Sequence, residues 1–170
     1  FVEVVSPSIV TCRTERNAVR EGGVYSTISL NERTNTFTEG FRDFETAMIE
    51  LRSKYQHTDD IDYLLKLLSS VKLEDSVKTD DNGLTQQVTV RKGIALTENA
   101  AVKPIVTLKP YRTFLEVEQP ESEFLVRIGD NGSIGLFEAD GGVWKIKARN
   151  TVAEYLKNEL SEEINAGKVI

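Results

Sequence analysis

Apolar and polar residues alternate in short runs near both ends of the chain, and the spacing becomes helical between them. Val24, Ser26, Ile28 and Leu30 share one face by the two-residue period of a strand, and 1–5 and 9–13 read as two strands before it. Glu21-Gly22-Gly23 supplies the turn into the third strand. Phe44, Met48, Leu51 and Tyr55 then recur at spacings of four, three and four, which predicts a helix over 41–56. Ile61, Leu64, Leu65 and Leu68 continue the stripe in a second helix, with Thr58 or Asp59 as its N-cap and Asp59, Asp60 and Asp62 in the first turn, where the helix dipole favours acids. The two form a helical hairpin with His57 at the bend.

Alternation resumes after Ser70. The runs 73–79 and 84–92 flank Asn82-Gly83, a dipeptide that accepts the positive φ angles of tight hairpin turns, with Val88 and Val90 inward and Gln87, Thr89 and Arg91 outward. In 103–109, Val106 and Leu108 face one side and Lys103, Thr107 and Lys109 the other, and Pro104, which has no N–H to donate, places this strand at a sheet edge. A meander of three strands follows: Phe124, Val126 and Ile128 inward, a turn at 129–132, Ile134 and Leu136 inward, a turn at 139–142, then Trp144, Ile146 and Ala148. A closing helix capped by Asn150 buries Val152, Tyr155 and Leu156, and the polar tail 161–170 is expected to fray. Together these elements predict one α+β domain over 1–160, an antiparallel sheet of about seven strands with the helical hairpin and the C-terminal helix packed on one face.

Composition narrows the chemistry. The 170 residues are 39% hydrophobic and 28% charged, which suits a globular domain with a sizeable core. One cysteine, Cys12, and one histidine, His57, provide neither an internal disulfide nor a Cys/His zinc module. No apolar run approaches the roughly 20 residues that cross a bilayer, so no membrane partner is expected and a cytoplasmic setting is the default. The first residue is Phe1, which predicts a preceding segment in a longer chain.

Charge is unevenly spread. The 21 basic and 27 acidic residues leave a net charge of -6, yet 84–112 holds five basic residues against one acidic. Arg91, Lys103 and Lys109 fall on outward strand positions, as do Lys145 and Lys147 on the last predicted strand. As neighbours they would form a basic stripe able to follow a phosphate backbone. Outward Lys and Arg more often keep strand edges from pairing, and the overall negative charge disfavours nucleic acid as a partner.

Catalytic material is sparse. His57, at an exposed bend, is the sole candidate for a hydrolytic triad, and no G-x-S-x-G elbow or glycine-rich phosphate loop occurs. Cys12 lies in a strand and reads as a small buried hydrophobe. Asp130, Glu138 and Asp140 are oxygen ligands suited to magnesium or manganese, but Asp140 before Gly141-Gly142 is also what a tight turn requires. No catalytic residue, metal or cofactor is assigned.

The runs Leu108-Lys109-Pro110-Tyr111-Arg112-Thr113-Phe114, Glu116-Val117-Glu118-Gln119-Pro120 and Leu136-Phe137-Glu138-Ala139-Asp140-Gly141-Gly142-Val143-Trp144-Lys145 resemble the C-terminal half of the YfdQ-like family of phage and prophage proteins. Asp81-Asn82-Gly83-Leu84-Thr85-Gln86-Gln87-Val88 and the run 41–51 extend the likeness over most of the chain. The family is a domain of unknown function whose members are longer at the N-terminus. The resemblance implies a phage setting, near recombination or early-lysogeny genes, and transfers no catalytic residue. Arg112, Gln119, Glu138, Asp140 and Lys145 are more polar than packing requires and mark a candidate binding surface, with Arg112 expected to pair with Glu116 or Glu118 and Trp144 to fill the core. The expected function is non-enzymatic, through a protein partner or self-association. The alternatives are an accessory nucleic-acid-binding protein of recombination or replication and, last, a metal-dependent nuclease.

Overall fold

The computed structural model describes residues 1–15, 22–30, 40–71, 79–81, 86–92, 96–129 and 133–169, and over 70–101 it describes the main chain alone. In chain order the elements are β1 (Val2–Ser6), β2 (Ile9–Arg13), β3 (Val24–Ser29), β4 (Phe41–Arg42), α1 (Phe44–Ser53), α2 (Asp59–Val71), β5 (Thr79–Asp81), β6 (Gln86–Lys92), β7 (Leu96–Val102), β8 (Ile105–Leu108), β9 (Ser122–Ile128), β10 (Ile134–Glu138), α3 (Trp144–Glu159) and α4 (Ser161–Asn165). The class is α+β, and the sheets are antiparallel throughout the described pairings.

The strands do not join into one sheet of about seven. They form three sheets, in the orders β1-β2-β3, β4-β10-β9-β8 and β5-β6-β7. By their contacts the residues group into two compact units, one made of Phe1–Thr34, Tyr111–Pro120 and Val143–Ile170, the other of Asn35–Pro110 and Glu121–Gly142.

In the second unit the period-2 alternation is kept. Strand β9 alternates buried and outward residues along its length, with Phe124, Val126 and Ile128 inward beside Ile134 and Leu136 of β10 and Val106 and Leu108 of β8. The helical hairpin covers this face with Ala47, Leu51, Leu64 and Leu68, each fully buried. Burial of each large aliphatic side chain contributes about 1.5–3 kcal/mol, so these rows supply most of the driving force for the unit. Strand β8 lies at the sheet edge, where Pro104 at its start costs no ladder bond and its carbonyl accepts from the Val126 N–H at 2.9 Å.

Helix α1 starts later than the predicted 41–56, because Phe41–Arg42 pairs with β10 and Asp43 caps the helix by accepting the Thr46 N–H at 3.0 Å. Hydrogen bonds from Thr46 hold the Asp43 carboxyl below its usual pKa. At the start of α2 the cap is Thr58, whose Oγ1 accepts the Ile61 N–H at 3.3 Å and whose carbonyl accepts the Asp62 N–H at 3.1 Å. His57 sits exposed at the bend, with Nε2 3.0 Å from Asp62 Oδ1. Strands β5 and β6 pair as expected of a hairpin, with Thr79 opposite Val88. Asn82, Gly83 and the side chains of Val88, Val90 and Arg91 lie outside the described residues and side chains.

In the first unit, Val4, Val10 and Ile28 are cross-strand neighbours on one face of the sheet, and Val10 clusters with Val117 and Val152 against Phe114, Tyr155 and Leu156. Here the predicted third strand of the meander is instead the start of α3. The alternation Trp144, Ile146, Ala148 is outweighed by the spacing Ala148, Val152, which buries one helical stripe and leaves Ile146 64% exposed. Asn150 lies inside the helix, and Val143 at the cap position makes no side-chain cap bond. Helix α3 packs on β1 and is grouped with it in the first unit, whereas the helical hairpin belongs to the second, and the polar tail forms the short helix α4.

Candidate functional site

The loop Tyr111–Pro120 contains two of the candidate residues and is built around one of them. Gln119 is 2% exposed. Its Oε1 accepts the main-chain N–H groups of Arg112 at 2.9 Å and Thr113 at 3.2 Å, and its Nε2 donates to the carbonyls of Phe114 at 2.9 Å and Val117 at 3.3 Å. A primary amide offers two acceptor lone pairs and two N–H donors, so the side chain is committed to closing the loop. Thr113 Oγ1 donates to the Pro7 carbonyl at 2.5 Å and ties the loop to the β1–β2 turn.

Arg112 and Lys145 meet at Trp144. The Arg112 guanidinium lies 3.9 Å from the centre of the half-buried indole ring and donates through Nη2 to the Pro120 carbonyl at 3.4 Å, and Lys145 Nζ is 5.8 Å from the same ring. A cation over an indole face is held by the ring quadrupole, and here it fixes the loop to the first turn of α3. Arg112, Gln119 and Lys145 are thus gathered within the first unit.

Glu138 and Asp140 belong to the second unit. Glu138 is exposed at the end of β10, opposite Phe124. Asp140 accepts the Ser122 hydroxyl at 2.5 Å and the Gly142 N–H at 2.8 Å, the bond pattern of an Asx turn, and Gly141 and Gly142 take φ of 63° and 83°. Asp130 lies outside the described residues. Among the described residues no three His, Cys, Asp or Glu side chains gather as a metal site.

The basic residues do not line up on strands. Lys103 Nζ is 2.6 Å from Asp60 Oδ1, and Asp60 Oδ2 accepts the Thr107 N–H at 2.7 Å. Burial alone would raise the Asp60 carboxyl, but the Lys103 hydrogen bond, the Thr107 N–H and the Lys103 charge together hold it below its usual pKa. Lys103 therefore serves to fasten β8 to α2, and its main-chain N–H adds a 2.8 Å bond to Tyr63 Oη. Lys109 is half-buried, with its carbonyl accepting the Gln56 N–H at 2.9 Å. Lys145 and Lys147 are exposed on a helix, which removes the strand parity that a stripe needed, and the Arg91 side chain is not among those described.

Two surfaces carry more than the sequence indicated. The outward face of the four-stranded sheet holds a cross-strand row, Ile105 opposite Leu125 and Leu125 opposite Phe137, continued by Phe41, whose ring meets that of Phe137 edge-on at 6.0 Å. Phe41, Ile105 and Leu125 are 49%, 42% and 38% exposed. Beneath the two rings lies Gly135, where an added Cβ would come within 2.7 Å of the Phe137 ring. The second surface is β3, whose six residues are all exposed. The signal for it was an uncharged strand at 24–29, which is easily read as an ordinary sheet member.

No family model matches the chain, and no curated protein or solved structure matches it. Among the described residues no helix is long and apolar enough to cross a membrane.

Proposed function

We propose that this chain is a non-enzymatic phage or prophage protein, related to the YfdQ-like family it resembles, that acts in the host cytoplasm through contacts with other protein chains, its own copies first. The observation that carries the reading is the row Ile105, Leu125, Phe137 and Phe41 on the outward face of the four-stranded sheet. Exposed apolar side chains scattered singly need no explanation, whereas a continuous row across adjacent strands marks an interaction surface. A second copy laid against the same row would complete a two-sheet sandwich, since the opposite face is already filled by the helical hairpin.

Light scattering coupled to size exclusion tests this. The native chain is expected to run as a dimer or larger at micromolar concentration, and Leu125→Lys, which puts a charge at the middle of the row, is expected to shift it to monomer. A native chain that stays monomeric across that range overturns the reading.

A further inference from the structure

The open edge of the three-stranded sheet has a direction and a chemistry. Leu30 N–H donates to the Ser8 carbonyl at 2.9 Å, so by the alternation of an antiparallel ladder Ile28 and Ser26 turn their main-chain groups toward β2, and Thr27 and Ser29 turn theirs outward. Among the described residues no strand pairs with that outer side. The opposite edge is blunted: β1 carries Glu3, paired with Arg13 at 3.1 Å, and a register shift between Val4 and Ser6. Strand β3 itself has no charge and no proline, and among the described residues its outer side has no such protection.

A groove of about 250 Å³ lies over the sheet face at Val10 and reaches the edge strand at Ile28, with Phe114, Val117, Tyr155 and Leu156 on its other walls and Glu116 as its charged residue. Pockets for drug-sized ligands run to about 300–1,000 Å³, so this one suits a single large side chain presented by a chain segment. We propose that β3 and this groove form a docking site for an extended peptide that adds to the sheet as a fourth strand, seats a large aliphatic or aromatic side chain against Ile28, Phe114 and Tyr155, and places a Lys or Arg beside Glu116. Main-chain bonds to Thr27 and Ser29 supply affinity, and the groove and Glu116 supply selectivity. Charge decides the occupant. Glu116 and the net charge of -6 favour a basic partner, and β3 of a second copy brings no basic side chain to that position. The inference names a partner class for the protein-binding reading, but it stands on a different unit from Leu125, so either can fail alone.

The test uses the full chain and a synthetic capped peptide that alternates Thr with Ile and carries one Arg two residues from the central Ile, on the same face, followed by fluorescence anisotropy and amide exchange. The Arg peptide is expected to bind about tenfold more tightly than its Glu counterpart and to protect the amides of Thr27 and Ser29. Glu116→Lys is expected to invert that preference. Thr27→Pro removes an outward N–H while sparing the β2 ladder, and is expected to abolish binding with the fold retained. Equal binding of the two peptides, or binding without protection in β3, overturns the proposal. So does a chain that pairs with itself through β3, seen as a dimer lost in Thr27→Pro but kept in Leu125→Lys.

Discussion

Gln119 holds Arg112 in place through the main chain: its Oε1 accepts the Arg112 N–H at 2.9 Å from a position 2% exposed to solvent. The guanidinium of the same Arg112 then rests on Trp144. Gln119→Leu keeps the apolar part of the side chain and strips the loop of its partners. Each buried group left unpaired costs about 1–3 kcal/mol, so a loss of about 3 kcal/mol is expected in urea unfolding. A change under about 0.5 kcal/mol would show that water replaces the amide.

Gly135 lies under the rings of Phe41 and Phe137. Gly135→Ala is expected to cost roughly 1–2 kcal/mol through overpacking. In a Phe137→Leu background the same change should become neutral or stabilising, because a strand glycine is otherwise unfavourable. A double-mutant cycle measures the coupling, and strict additivity of the two changes would refute the contact.

Asp60 is held ionised by Lys103 and the Thr107 N–H, and its pKa is lowered in the folded state. A depressed carboxyl adds stability that is present above the unfolded-state pKa and is lost as pH falls through the folded value. Asp60→Asn should therefore be less stable than the native chain at neutral pH, with the gap closing as the solution is acidified through the carboxylate range. Urea midpoints at a series of pH values check this; a gap that stays constant with pH removes Asp60 as its source.

Thr58 and Asp59 both suit the start of α2 by composition, and the geometry selects Thr58. Thr58→Ala is expected to cost about 1 kcal/mol and Asp59→Ala less, since Asp59 contributes only through the helix dipole. Equal losses from the two, measured by thermal unfolding, would return the cap to an open question.

The helical hairpin and the β9–β10 pair were readable because each repeats one period without conflict, and Pro104 announced the edge at β8. Residues 144–148 satisfy both periods, and Val143 is no capping residue, so the sequence reads as a strand up to a cap at Asn150, whereas the joint burial of Ala148 and Val152 belongs to one helix from Trp144. Strand β7 went unseen because Leu96-Thr97-Glu98-Asn99-Ala100-Ala101-Val102 is poor in β-branched and aromatic residues. The site residues were harder still. Polarity singles out Gln119 but cannot tell a contact residue from a buried clamp, and the groove beside β3 draws Ile28, Phe114 and Tyr155 from three distant segments that no local pattern links.

The polypeptide enters the first unit, leaves it, comes back for Tyr111–Pro120 alone, and returns a final time at Val143. Neither half can therefore be cut free by trimming one end of the gene. Removing everything after Gly142 takes away the helix on which β1 rests, and stopping before Tyr111 deletes the residues that fill the space between Val10 and Val152. Anyone wishing to study the halves apart will have to splice 1–34, 111–120 and 143–170 together with new linkers, which joining the two ends of the chain does not achieve, instead of shortening the chain.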